Sequence, residues 1–475
     1  MTAIWWLRRD LRLHDNAALT AALRATTATG GAVVPVFVLD PAALASRWHA
    51  QAARRQAFLF AGLRALDAEL RARGSRLVLR AGAPTDVIPA LVAETGATTV
   101  IAEADHSPFA RRRDAEVARH APLTLVGSPA IRAPSTVRKP DGSSYVVFGA
   151  FRRAWLALEP LAEALPVPRV LPSVPAALAS APLPEAAPPA AFPAGEAEAR
   201  ARLDRFTRAE DAAIFRYADE RDRPDLDGTS ALSPYLRFGM LSPREAATRA
   251  LEAEGRAADE AGRAGAGRWL DELIWRDFYL GVLDAFPRVT REAFDARLRG
   301  IAWRNDPDDL AAWRAGRTGF PIVDAAMRQL AATGWMHNRC RMIVASFLVK
   351  HLLCDWRLGE QWFMEQLVDG DVASNNGGWQ WTAGVGTDAA PYFRVFNPLR
   401  QGERFDPHGD YVRRWVPELE GSEARHAHEP WRMSAAQQEA AGVRIGVGYP
   451  ARIVDLDEGR ARALAAYAAA RAEAG

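Results

Sequence analysis

"AVVPVFVLD", residues 32–40, is an apolar strand-like run that closes on a carboxylate. "AIWWL" (3–7), "RLVLRAG" (76–82), "TTVIAEAD" (98–105) and "LTLVGS" (123–128) have the same character, and amphipathic helical patterns separate them. The clearest helix is "ARRQAFLFAGLRALDAELRARG", residues 53–74. Strand alternating with helix predicts a doubly wound parallel sheet, an α/β Rossmann-like domain, over residues 1–130. Such sheets bind ligands beyond the carboxyl ends of their strands. No GxGxxG follows the first strand, so a dehydrogenase-type dinucleotide site is not expected.

A chain of 475 residues is too long for one compact core. Ten prolines between Pro160 and Pro193, set among alanines, predict a long extended linker, placed at 131–199. From about Glu196 helical patterns dominate, so residues 200–475 are expected to form an all-α domain. The net charge of +2 is close to balance, and nucleic-acid affinity must come from a local patch. Lysine occurs only at Lys139 and Lys350; GC-rich coding accounts for the arginine bias, and arginine's planar fork also suits phosphate. Cys340 and Cys354 make no disulfide framework, which favours a reducing compartment. The nine histidines show no HExxH pattern, and no metal is expected. The start, "MTAIWWLRRDLRLHDN", has its apolar run before its arginines, the wrong order for a secretory signal, and runs such as "MIVASFLV" are too short to span a bilayer. The chain reads as cytoplasmic, without a membrane partner.

"DGTSALSPYLRFGMLSPRE" (227–245) holds two helix openings, Ser233-Pro234 and Ser242-Pro243, with serine as cap and proline at the first helical position. Glu245 predicts a capping box on the second. Thr229 and Ser230 add hydroxyls before the first, which leaves phosphate binding and simple capping both open. Eleven of the fifteen tryptophans lie from Trp269 onward; Trp313, Trp362 and Trp415 are read as core anchors, although a row of indoles also carries electrons. "DGDVASNNGGWQW" (369–381) is too polar for a core strand and too aromatic for an ordinary surface loop.

That last segment, continuing into "GTDAAPYFRVFNPLRQGERFDP", resembles the cofactor-binding core of DNA photolyases and cryptochromes. So do "ATGWMHNRCRMIVASFLVKHLLCDWRLGEQWF", "GRTGFPIVDAAMRQL", "WLDELIWRDFY" and "RRDLRLHDNAAL", and the resemblance runs in order along essentially the whole chain, including the proline-rich connection after "YVVFGAFRRAW". It implies FAD, folded back on itself, in the helical domain. Tyr217 and the segment Thr229, Ser230, Ala231, Leu232 and Ser233 are then expected at the ribityl and phosphate groups. Trp269, Arg276, Arg341, Asp369 and Asp371 complete the pocket, with Arg341 near an aspartate because a buried guanidinium needs a carboxylate. Asn375 faces flavin N5, its amide oxygen accepting from N5–H when the flavin is reduced, and Gly377 and Gly378 let the backbone pass without a Cβ collision. Asn376 carries no assigned role.

The resemblance divides the indoles. Trp379 is nearest the flavin, and Trp356 and Trp303 continue a relay to the surface. Trp381 and Trp275 wall a flipped pyrimidine dimer, where stacking contributes roughly 1–3 kcal/mol per base. Glu272 is expected, protonated or hydrogen-bonded, against the dimer's base groups, with Asn338 and Met342 beside it in a pattern resembling class I cyclobutane-dimer photolyases. Arg221, Arg339, Arg394 and Arg404 grip phosphates of UV-damaged DNA. Asn375 separates the chain from plant and animal cryptochromes, and His337 is single where (6-4) photolyases place a histidine pair. The chain ends soon after "EGRARALAAYAAARAEAG", which is read as lacking a long signalling tail. The implied activity is light-driven dimer repair by electron transfer from excited FADH⁻ in a monomer; a cryptochrome-like photoreceptor and a (6-4) photolyase are the alternatives. Phe109-Ala110 stands before "RRRD" where folate-binding members carry an Asn-Glu pair, so the antenna expected is 8-hydroxy-5-deazaflavin or FMN rather than methenyltetrahydrofolate, lined by Phe37 and Asp40.

Overall fold

The computed structural model describes residues 1–28, 30–44 and 52–474. They form two compact units. The first comprises Met1–Ala218, Ser230–Pro287 and Val368–Ala373; the second comprises Asp219–Thr229, Arg288–Leu367 and the chain from Ser374 onward.

The first unit is built on five parallel strands, β1 (Thr2–Leu7), β2 (Val33–Leu39), β3 (Val78–Ala81), β4 (Ala97–Glu103) and β5 (Leu123–Val126), in the order β3-β2-β1-β4-β5. Ile4, Trp5, Val34, Val36, Val78 and Val100 are wholly buried, because helices cover both faces of a parallel sheet. The strand order reverses between β1 and β4, the point where such sheets usually take a ligand. Here the chain's own charges fill it: Arg8 pairs with Asp114, and Arg12 with Glu103 at 3.4 Å. Burial pushes the Glu103 carboxyl up to about 7, against the pull of Arg12.

The proline-rich stretch 157–195 contains no helix or strand, yet it is pinned to the sheet. Ala181 N–H donates to the Leu79 carbonyl at 2.9 Å, and Leu79 N–H to Ser180 Oγ at 2.9 Å. Arg76 reaches the Pro175 and Leu178 carbonyls at 3.1 and 2.6 Å. The strap thereby occupies hydrogen-bonding groups of β3, the edge strand that would otherwise pair with another chain.

Two helix openings differ in detail from the sequence reading. Ser242 caps the helix Pro243–Arg256 by accepting from Glu245 N–H at 3.3 Å. The box does not close, because the Glu245 carboxylate is drawn to His14 and Arg200 at 3.1 Å each. Ser233 is not a cap but the first residue of the short helix Ser233–Phe238, and its hydroxyl donates to Asp369 at 2.6 Å. Gly239 ends that helix at φ +64°; a Cβ there would stand 1.8 Å from the Arg9 carbonyl, so only glycine fits.

Among the described residues the second unit has helices and no strand ladder. Trp313, Met336, Cys340, Val344, Leu348 and Phe363 are buried in its core, with Trp362 and Trp415 packed against it. Trp313 acts as the anchor expected: it is wholly buried and its Nε1–H donates to the Val344 carbonyl at 3.0 Å. Both cysteines are buried thiols, and among the described residues no helix is long and apolar enough to cross a membrane.

Candidate functional site

The segment that fitted neither strand nor loop is a helix, Val372–Ala383. Asn375 and Trp379 lie one turn apart on one stripe of it, while Asn376 and Gln380 form the adjacent stripe. Asn375 Nδ2 donates to the Glu360 carbonyl at 3.0 Å, which directs Oδ1 the other way as an acceptor. The Trp379 indole is 2% exposed and packs edge-on against Phe363 and Trp313, with centroids 5.0 and 6.2 Å away. Its Nε1–H is buried and finds no acceptor among the described residues. Gly359 makes room for this ring, since a Cβ there would stand 2.1 Å from Trp379 Cη2. Gly378 has no such neighbour among the described residues, and a Cβ there would meet open space.

Trp356 is buried in the same core, and Trp303 packs edge-on against Tyr467 at 5.9 Å. The helix ends on a clamp that sequence reading missed. Lys350 Nζ donates to the Ala383 carbonyl at 3.0 Å and to the Tyr392 carbonyl at 3.1 Å, over the Tyr467 ring, whose hydroxyl also donates to Ala383 at 2.7 Å. These donors satisfy the last carbonyl of the helix, at the negative end of its dipole. The sequence signal was one lysine retained among arginines.

The first unit holds most of the remaining cofactor-binding candidates. Ala231 sits at φ +48°, followed by Leu232 at φ −90° and ψ −5°. Left-handed then right-handed residues in succession turn their N–H groups to one side, the geometry of an anion nest. Ser233 and Asp369 are joined as described above. Asp371 carries Arg9 at 2.6 Å and Arg237 at 4.0 Å, and Arg237 Nε also holds the Gly370 carbonyl at 2.8 Å. The guanidinium seated on Asp371 in this unit is therefore Arg9, from "RRDLRLHDN", a pairing the sequence reading did not anticipate. Arg341, in the second unit, donates to the Met336 carbonyl at 2.8 Å. Arg276 is held by the Pro129 and Leu236 carbonyls, and burial lowers its pKa while Asp371 opposes the shift. Tyr217 and Trp269 both pack on Phe206, at 6.0 and 5.1 Å.

Glu272 and Trp275 lie on the helix Glu260–Ala285, both half-buried. Trp275 stacks on Phe148 with centroids 3.6 Å apart and planes 5° from parallel, which fixes the plane of the indole. Trp381, in the second unit, is also half-buried.

In the second unit Asn338 is exposed as the first residue of the helix Asn338–Ser346, and Met342, one turn on, is half-buried. Asp222 takes Arg339 at 2.7 Å and lies 3.8 Å from Arg221, so the two arginines share one carboxylate. Arg339 and the exposed Arg404 both lie over the Phe405 ring, and Arg394 is exposed. His337 Nδ1 caps the helix by accepting from Arg339 N–H at 3.2 Å, which places the proton of a neutral ring on Nε2.

Burial pushes both His337 and His351 down to about 4, from 6.5. As pH falls through this range the unfolded chain takes up these two protons first, so stability holds above about 6.5 and declines toward 4. Urea midpoints measured across that window should fall with pH, and less steeply in His351→Gln.

For the antenna candidates, Phe37 is buried on β2, in register with Leu7 and Leu79. Asp40 is buried and accepts from Ala42 N–H at 2.9 Å. A cavity of about 290 Å³ opens elsewhere in this unit, lined by His106, Pro108, Arg111, Arg112, Leu283 and Pro287. Neither Phe37 nor Asp40 lines it.

Within the first unit the nest with its hydroxyls suits the phosphates of a nucleotide, and within the second Asn375 presents an amide oxygen as an acceptor. Residues 3–170 match the family model for DNA photolyase, and residues 269–469 match the model for the FAD binding domain of DNA photolyase. The deoxyribodipyrimidine photo-lyase of Salmonella typhimurium is 42% identical over 99% of this chain and 99% of its own. A class III photolyase from Agrobacterium tumefaciens superposes with a TM-score of 0.91 at 37% identity, covering 99% of this chain and 98% of that one. A Synechocystis cryptochrome superposes with a TM-score of 0.89 at 30% identity, covering 98% of each chain. With both halves matched in order and a close relative along its full length, the chain belongs to the DNA photolyase family.

Proposed function

We propose that this protein repairs cyclobutane pyrimidine dimers in UV-damaged DNA, acting as a cytoplasmic monomer with FAD as its light-driven cofactor. The observation that carries the reading is Asn375, an amide whose nitrogen is committed to Glu360 and whose oxygen is presented outward. A neutral acceptor there suits a reduced flavin, and the resemblance assigns other residues to cryptochromes. When bound, reduced and excited, FAD supplies one electron that opens the cyclobutane ring and is then returned. The chain's residues bind and orient. The loop Thr229–Ser233 takes phosphate, Asp369 holds Ser233 in place, and Trp269 and Tyr217 are fixed through Phe206. Trp275 and Trp381 offer aromatic faces to the dimer, and Glu272 hydrogen-bonds its bases. Asn338 and Met342 support a class I assignment. A cryptochrome-like role is the second reading, favoured by the Synechocystis likeness. Loss of dimers from irradiated DNA under blue light, with preferential binding of damaged over intact DNA, tests the choice; equal binding and no light-dependent repair would favour the photoreceptor.

Trp275→Ala should weaken binding of dimer-containing DNA by about 1–3 kcal/mol with FAD content unchanged, because a fixed stacking plane is lost. Filter binding against intact DNA measures it, and unchanged affinity would remove Trp275 from the dimer wall. Asp222→Asn should act oppositely. It leaves Arg339 and Arg221 without the carboxylate they share, so DNA affinity should rise about two- to fivefold at low salt and converge with the parent protein at high salt.

The second chromophore is proposed as 8-hydroxy-5-deazaflavin or FMN. Arg111 and Arg112 in the cavity wall suit its acidic tail or phosphate, while Phe37 and Asp40 remain the candidates for its ring. An absorption spectrum of the native protein before and after cofactor release identifies it; a recovered folate would overturn the assignment.

A further inference from the structure

The helix Val372–Ala383 buries one stripe composed of Ala373, Asn376, Gln380 and Ala383, at exposures of 3, 3, 2 and 0%. Two alanines and two amides offer little apolar surface, so on this stripe hydrogen bonds, beside the packing of the buried Trp379 indole on the next one, set how the helix is rotated about its axis. Asn376 Nδ2 donates to Glu360 Oε1 at 2.8 Å and to the Val289 carbonyl at 2.9 Å. Gln380 Nε2 donates to the same Val289 carbonyl at 2.9 Å, to Asn376 Oδ1 at 3.3 Å and to the Glu292 carbonyl at 3.3 Å. Phe294 N–H donates back to Gln380 Oε1 at 2.9 Å. Each amide oxygen and nitrogen is thus used, and a slip by one position would turn the stripe by about 100° and break every bond of the ladder.

We infer that Asn376 and Gln380 are positioning residues for the photochemistry: their ladder sets the rotation of the helix, and with it the direction of Asn375 Oδ1 and the seat of the Trp379 indole. This rests on the reading of Asn375 and Trp379 as cofactor-facing. Glu360 links the two stripes, because its main-chain carbonyl holds Asn375 and its carboxylate holds Asn376.

The test reverses one bond of the ladder. Asn376→Asp replaces a donor by an acceptor and sets two carboxylates against each other; adding Glu360→Gln restores a donor–acceptor pair with its direction swapped. In the single variant, chemically reduced flavin should reoxidise in air about tenfold faster, with FAD content unchanged, from loss of a buried hydrogen bond. Emission from Trp379, taken as the difference from Trp379→Phe in the same background, should move to longer wavelength. The paired variant should recover both readouts. Parent-like readouts in Asn376→Asp, or no recovery in a folded paired variant, would overturn the inference. If Asn376→Asp does not fold, Gln380→Glu, which keeps the acceptor for Phe294 and loses the donor to Val289, gives the same two readouts. The Trp379 emission needs no flavin, so an absence of FAD from the parent protein would refute the proposed function and still leave the ladder tested.

Discussion

Trp379→Phe should leave the fold and FAD content intact while abolishing light-driven reduction of oxidised FAD by an external reductant. The indole is buried beside Phe363 and Trp313, and a phenylalanine ring takes the same seat while leaving a small cavity, which lowers stability without removing the aromatic anchor. What it lacks is an accessible one-electron oxidation, so the first member of the proposed relay through Trp356 and Trp303 disappears. Dimer repair by enzyme reduced chemically beforehand should continue, since the relay prepares the cofactor and does not touch DNA. Steady illumination with a thiol reductant, followed at the flavin absorption band, reads the effect. Normal photoreduction in the mutant would make Trp379 a packing residue only.

Gly359→Ala should produce a large loss of stability from a single methyl group. The new Cβ would stand 2.1 Å from Trp379 Cη2, 2.5 Å from Cζ3 and 2.7 Å from Leu348 Cδ2. Those neighbours belong to a packed core, and overpacking of this kind costs about 1–3 kcal/mol or more. Trp379→Phe removes the obstructing part of the indole, so the double variant Gly359→Ala, Trp379→Phe should be more stable than Gly359→Ala alone. A double-mutant cycle in urea measures that coupling, and strict additivity would show that the helix backbone moves instead of the ring.

The parallel sheet was legible because periodicity and apolar runs are local properties, and each of the five strands lies within a run the sequence marks or begins one residue before it. The helical character from Glu196 onward was equally local. Motif carry-over also pointed to Asn375, Trp379, Ser233 and Asp369, though not to their partners.

Tertiary structure alone decided the rest, for three physical reasons. Ion pairs such as Arg9 with Asp371 join residues 362 apart, and no spacing rule spans that distance. Side-chain competition redirects local motifs: Glu245 would close a capping box were His14 and Arg200 not nearer attractors, and Ser233 gives up capping for Asp369. Lastly, Asn376 and Gln380 count as polar in any hydrophobic pattern, so the buried face of the 372–383 helix could not be read from the sequence. Buried amides look like surface residues until their hydrogen-bond partners are in place, and those partners, Val289, Glu292, Phe294 and Glu360, come from elsewhere in the chain.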